Sequence, residues 1–214
     1  MIAKTIYKTI TKIFLAGSLL LVVNVSSAHV VLPACFTDNM VLQQQTKVNL
    51  WGTDAPGINF TIQTSWNNKT YPVKVDAQGN WKMKISTPVY GGPYTITFND
   101  GKITTLQNIL IGEVWVCSGQ SNMEMPLTGM YGDVLNLDHE LTDAANYPDI
   151  RMLKIENKTS FTPLTNVQTR GGWAICDPQT VRNFSAVAYF FAKNLFLDKH
   201  IPIGIINSTW FARW

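Results

Sequence analysis

Between Val30 and Gln107 apolar and polar residues alternate in short runs, KVNLWG, NFTIQTSW, TYPVKV, WKMKIS and YTITFND. DAPG, DAQGN and YGGP separate them, and Gly, Pro, Asn and Asp in such clusters favour turns over strand continuation. A period of two puts one strand face in a core and the other in water, most clearly in KVNLW and YTITF. Short strands punctuated in this way predict an antiparallel β-sandwich.

From about Asn108 the pattern changes. ILIGEVWVC is a nearly continuous apolar run of the kind buried on both faces in a parallel sheet. A helical stretch then precedes a second strand at Ile150 to Ile155. NFSAVAYFFAKNLFL, Asn183 to Leu197, predicts a helix with Ser185 or Asn183 placed to cap its start, and IPIGIINSTW predicts a third strand. Strand, helix, strand, helix, strand is an α/β order whose crossovers make the strands parallel. The fold expected is therefore a β-sandwich followed by an incomplete α/β domain. Ligands collect beyond the carboxyl ends of such strands, and Ser121 and Ser208 stand just past two of them.

The first 28 residues read differently from the rest. Lys4, Lys8 and Lys12 precede the apolar run Ile13 to Val25, and Ser26-Ser27-Ala28 supplies small residues of the kind cleaved by signal peptidase. The segment 1–28 thus predicts an export signal, with a periplasmic or secreted product that has no membrane attachment after cleavage. Its removal changes the formal balance from 17 − 14, or +3, to 14 − 14, or zero, because it carries three lysines and no acid. No basic stripe remains, so nucleic acid is not an expected partner. Cys35, Cys117 and Cys176 form no C-x-x-C pair, so a zinc site has no support, and at most one disulfide could form.

The chemistry is concentrated in GEVWVCSGQSNMEMP, Gly112 to Pro126. A serine hydroxyl needs a base for its proton and donors aimed at the developing oxyanion. A sharp turn after a buried strand can expose the hydroxyl and supply part of the oxyanion hole from backbone N–H groups, and Gly119 permits that turn. Met123 occupies the last position of G-x-S-x-G, so the common α/β-hydrolase elbow does not match. Glu113 and Glu124 flank the serine, and Glu124 is placed to charge the first turn of a following helix. Cys117 sits among Trp115 and Val116 and reads as a small buried hydrophobe. His29, His139 and His200 read as surface histidines, since none lies in a motif that pairs it with Ser121.

GEVWVCSGQSNMEMP closely resembles the nucleophile block of sialate O-acetylesterases. LPACFTDNMVLQQ, GGPYTITF, YPDIRML, NFSAVAYFFAKNLF and IPIGIINSTW resemble the same family, in the family's order. The resemblance implies an exported carbohydrate esterase with an SGNH-type, three-layer hydrolase domain behind a β-sandwich. It divides the chain into a signal at 1–28, a sandwich at 29–107, and the amino-terminal part of an SGNH-like α/β esterase domain at 108–214. It makes Ser121 the nucleophile, with its own backbone N–H in the oxyanion hole, and gives Gly119, Gln120 and Asn122 the shaping of the turn. The substrate implied is an acetylated sialic acid or another acetylated carbohydrate, with no metal or organic cofactor.

Two features depart from the family. A glycine-rich turn is expected after the strand IPIGIINSTW, and this sequence reads Phe211-Ala212-Arg213-Trp214 there. The family's downstream Asp-x-x-His, source of the base and its orienting acid, has no counterpart. The expectation is a truncated chain, inactive alone. The alternative reading is a non-catalytic carbohydrate-binding β-sandwich that uses Trp51, Trp66 and Trp81.

Overall fold

A computed structural model describes residues 29–210, Tyr131 and Asp133 excepted. The export signal expected over 1–28 and the divergent end Phe211 to Trp214 lie outside the described residues. The five alternating runs become β2 (Lys47–Thr53), β3 (Asn59–Thr64), β4 (Lys69–Lys74), β5 (Asn80–Ser86) and β6 (Gly91–Asn99), preceded by the short β1 (Val41–Gln43). β7 (Ile103–Gly119), β8 (Ile150–Ile155), β9 (Thr169–Ile175) and β10 (Ile203–Thr209) follow. The helices are α1 (Ser121–Glu124), α2 (Leu137–Asp143), α3 (Pro178–Arg182) and α4 (Ala186–Lys199).

One large mixed sheet runs β4-β3-β6-β7-β10-β8-β9, with β1 also beside β7, while β2 and β5 form a separate antiparallel pair. β7 joins the two halves of the large sheet. Its first part is antiparallel to β6 as far as Ile111, and from Glu113 onward it is parallel to β10. The sequence boundary at 107/108 falls inside this 17-residue strand. Asn108, at φ of 56°, bulges the strand against β6 at this point without ending it, and the neighbours change beyond it.

The three expected α/β strands are parallel, with β10 inserted between β7 and β8. β9 runs antiparallel to β8 and covers its outer edge, a strand that periodicity did not predict. Its sequence, TRGGWAI, contains two glycines at φ of 80° and 81°, which break the alternation a strand would show. β1 adds a parallel neighbour to β7 at Leu110 to Gly112, so the amino-terminal half is not purely antiparallel.

Two hydrophobic cores explain these patterns. Leu50, Trp81 and Ile85 of the two-stranded sheet pack with Ile62, Val73, Ile96 and Phe98 of the large one. The second core gathers Ile150, Met152, Ile203 and Ile205 against Ala188, Tyr189 and Ala192 of α4. Leu153 of β8 and Ile206 of β10 turn the other way, into the first core. Those strands are therefore apolar on both faces, as a continuous run requires. The run in β7 behaves differently, since Ile109 to Ile111 are buried whereas Trp115 and Val116 are 43% and 67% exposed.

α4 starts where its cap predicts, because the Ser185 hydroxyl accepts the Ala188 N–H at 3.2 Å. Lys193 on its inner side bridges Glu140 at 2.6 Å and Asp143 at 2.8 Å, tying α4 to α2. The Lys193 ammonium, with help from the Tyr147 hydroxyl, holds the Asp143 carboxyl well below the usual carboxylate range. Arg151 is 3% exposed yet faces no carboxylate among its hydrogen-bond partners. Its guanidinium donates to the carbonyls of Pro148, Asn39 and Asn108, which joins the amino-terminal segment, β7 and β8. Burial pushes its pKa down, partly opposed by Asp149.

At Gly112 the chain meets the loop before β10 so closely that an added Cβ would lie 2.0 Å from the Pro202 carbonyl oxygen. A backbone atom cannot step aside as a side-chain tip can. Gly112→Ala is expected to cost about 2 kcal/mol, as overpacking of an interior does. The check is a lowered urea midpoint with an unchanged slope; an unchanged midpoint would show that this approach is not tight.

Candidate active site

The serine turn is set by what precedes it. β7 ends at Gly119, whose carbonyl accepts the Trp210 N–H at 3.1 Å, so the ends of β7 and β10 are held side by side. Gly119 has φ of 155°, and a Cβ there would meet the Met123 Cγ at 2.7 Å. Glycine allows the chain to fold straight back into α1. Gln120 stands at the cap without a side-chain capping bond, and its carbonyl accepts the Glu124 N–H at 2.9 Å. The Ser121 carbonyl accepts the Met125 N–H at 3.0 Å.

Ser121 and Asn122 are exposed, and no described side chain bonds to the Ser121 hydroxyl. The first N–H groups of a helix have no acceptor within it. Those of Ser121 and Asn122 find none elsewhere among the described residues. The turn therefore presents a hydroxyl and unused backbone donors to solvent together, the pairing that acyl transfer to serine uses.

Beyond the same strand ends lies a cleft of about 350 Å³. Ser118, Gly119, Ser208, Thr209 and Trp210 form one side, and the β8–β9 connection the other. Ser121 is not part of that lining; it opens α1, two residues past Gly119.

Underneath the turn is a polar cluster that sequence reasoning missed. Lys154, near the end of β8, donates to Glu124 Oε2 at 2.8 Å, Asn207 Oδ1 at 2.9 Å and Thr209 Oγ1 at 2.9 Å. Thr209 in turn contacts Glu124 Oε2 and Asn207 Oδ1. Lys154 and Glu124 are only 14% and 18% exposed, and Asn207 is fully buried with its Nδ2 unpartnered. The cluster fastens the last residue of α1 to β8 and β10. Glu124 thus serves as an anchor for the turn, beyond any charge it lends to a helix start. Its sequence signal was a lysine inside the apolar strand IRMLKI.

The other candidates separate. Glu113 accepts from the side chains of Gln43 and Gln44 at the opposite end of the parallel segment of β7, so it forms no acid/base pair with Glu124. Cys117 is half-buried and desolvation raises its pKa, which opposes a thiolate nucleophile. All three cysteines are free. His29 lies 3.3 Å from Asp100, His139 sits beside Glu140 on α2, and His200 caps α4 in the left-handed region. Among the described residues no three His, Cys, Asp or Glu side chains gather as a metal site, and no helix is long and apolar enough to cross a membrane.

No protein-family model matches the chain. It is 29% identical to the sialate O-acetylesterase of Mus musculus over 194 residues, which is 83% of this chain and 35% of that protein. The sialate O-acetylesterase of Homo sapiens is 27% identical over 191 residues, 81% of this chain and 35% of that protein. A crystal structure of a carbohydrate acetylesterase from Xanthomonas citri aligns with a TM-score of 0.78 and 33% identity, covering 85% of this chain and 40% of that one. The chain spans about a third of the length of the curated relatives it matches. These matches agree with the resemblance carried by the serine block: the chain is a relative of the sialate O-acetylesterases.

Proposed function

We propose that this chain carries the serine of a carbohydrate O-acetylesterase of SGNH type, set behind a β-sandwich and exported by the segment 1–28. Ser121 is the nucleophile and its backbone N–H an oxyanion donor, while Gly119, Gln120 and Asn122 shape the turn. The substrates are acetyl esters of sialic acid or related sugars. The observation that carries this reading is an exposed serine at the start of a helix, directly after a strand, beside backbone N–H groups that nothing else uses.

In the acyl-transfer step the Ser121 Oγ attacks the acetyl carbonyl carbon and yields its proton to a base. The carbonyl oxygen becomes an oxyanion facing the free N–H groups. Collapse breaks the bond to the sugar oxygen, which leaves protonated as a hydroxyl, and water then releases acetate from the serine ester. The Asp-x-x-His expected to supply the base has no match in these 214 residues. This chain by itself is therefore expected to deacylate slowly, so that acyl transfer to the serine is the informative event.

The test is incubation with a reactive acetyl ester such as p-nitrophenyl acetate, followed by peptide mass analysis. The expected result is the mass of one acetyl group on the peptide that contains Ser121. Acetylation confined to lysines would sink the reading.

A further inference from the structure

A second, larger cleft of about 770 Å³ opens on the outer face of the two-stranded sheet. Trp51 forms a fixed wall there. Its indole N–H donates to the Thr165 carbonyl at 2.8 Å, and Phe36 packs edge-on at 4.6 Å between centroids. Trp81 also contributes but is 3% exposed, while Trp66 is turned to the Ser86 carbonyl and Tyr94. The three tryptophans therefore make no common exposed platform, and only Trp51 offers a half-exposed ring to the cleft.

Around it are polar groups that the protein leaves unused. Lys82 stands directly across from Trp51 in the β2–β5 register, and Asn49 is on the same face two residues before it. Lys74, at the end of β4, completes this side. None of the three makes a side-chain hydrogen bond or ion pair among the described residues. Asp76 is the one acid of the lining, and one of its oxygens is taken by the backbone N–H groups of Gln78 and Asn80. Two lysines against one carboxylate favour an anion, and a rigid aromatic face beside amide and ammonium donors suits a sugar ring. The volume lies in the range of small-ligand sites, roughly 300–1,000 Å³.

The two clefts share a wall. Leu164 and Asn166, on the connection between β8 and β9, line both the 770 Å³ cleft and the 350 Å³ cleft at Gly119. Asn166 is fixed from the far side, its Oδ1 accepting the Ala34 N–H at 3.0 Å. A ligand of several sugar units could therefore rest on Trp51 and extend over this connection toward the serine turn.

We infer that the cleft at Trp51 is an accessory binding site for an acidic oligosaccharide, with a sugar ring on the Trp51 indole and a carboxylate held by Lys74 and Lys82. The choice of sugar rests on the reading above, but binding is measured without catalysis. The probe is 3′-sialyllactose, titrated by isothermal calorimetry against the wild-type chain, a Ser121→Ala variant and a Lys74→Met/Lys82→Met variant, with lactose as neutral control. Saturable binding is expected, unchanged in Ser121→Ala and weakened about tenfold or more in the lysine variant and for lactose, as loss of a charge-assisted contact implies. Both lysines are exposed, so that variant keeps its core. No binding up to about 10 mM, near the weakest affinity worth a specific site, overturns the inference, as does equal binding by the lysine variant or of lactose. Binding with no acetyl transfer to Ser121 would leave this site standing and remove the esterase reading alone.

Discussion

Replacing Ser121 with alanine is expected to abolish acetyl transfer to the turn, lowering it by about 10²- to 10³-fold, to the background of the reagent. The effect should be this large because the substitution removes the attacking atom and leaves the backbone donors in place. Two neighbouring hydroxyls make the prediction selective. Ser118 and Ser208 are register partners on β7 and β10, both exposed and both on the cleft wall. Neither of them opens a helix, where the successive first N–H groups are left together without acceptors. Thr209 is excluded in another way, its hydroxyl being occupied by Lys154, Glu124 and Asn207. Ser118→Ala and Ser208→Ala should therefore keep at least half of the wild-type acetylation. If either of them loses it while Ser121→Ala retains it, the nucleophile has been misplaced. Peptide mass analysis after a short exposure to p-nitrophenyl acetate distinguishes the cases.

Local signals were legible wherever one short segment carried the whole cause. Ser185 caps α4, the β3, β4 and β5 runs alternate, and IPIGIINSTW is apolar on both sides because both sides are covered. Signals failed where the cause lies in a neighbour distant in sequence. β9 hides behind Gly171 and Gly172; at the latter a Cβ would meet the Thr37 side chain at 2.6 Å, a constraint set more than a hundred residues away. The continuity of β7 was invisible for a related reason. Periodicity reports what covers each face, and at Gly112 the cover changes from one set of partners to another while the strand itself continues.

The site divides along the same line. The turn was readable because Gly119 and Ser121 are two residues apart, but its foundation was not. Lys154 lies 30 residues from Glu124, 53 from Asn207 and 55 from Thr209. The lysine inside an apolar strand is a local signal, but nothing near it in sequence names its partners, and only the parallel register of β8 and β10 brings them under α1.

That foundation yields the second large effect. Lys154→Met should destabilise the chain by about 3 kcal/mol, at the lower end of what breaking a buried ion pair costs because both partners retain some exposure. The loss is asymmetric: the Glu124 carboxylate stays in place, desolvated, with only Thr209 to answer it. Adding Glu124→Leu should then recover most of the stability, since an uncharged pair leaves no buried charge to compensate. Acetyl transfer should not recover with it. With α1 no longer tied to β8 and β10, the serine turn drifts, and a displacement near 1 Å can cost about a hundredfold in rate. Urea midpoints, hydrogen exchange over residues 119–125 and acetylation of Ser121, measured on the single and double variants, separate anchoring from bulk stability. A single variant that costs less than about 0.5 kcal/mol would place Lys154 and Glu124 among ordinary surface pairs, and a double variant that regains full acetylation would show that the turn holds its shape without them.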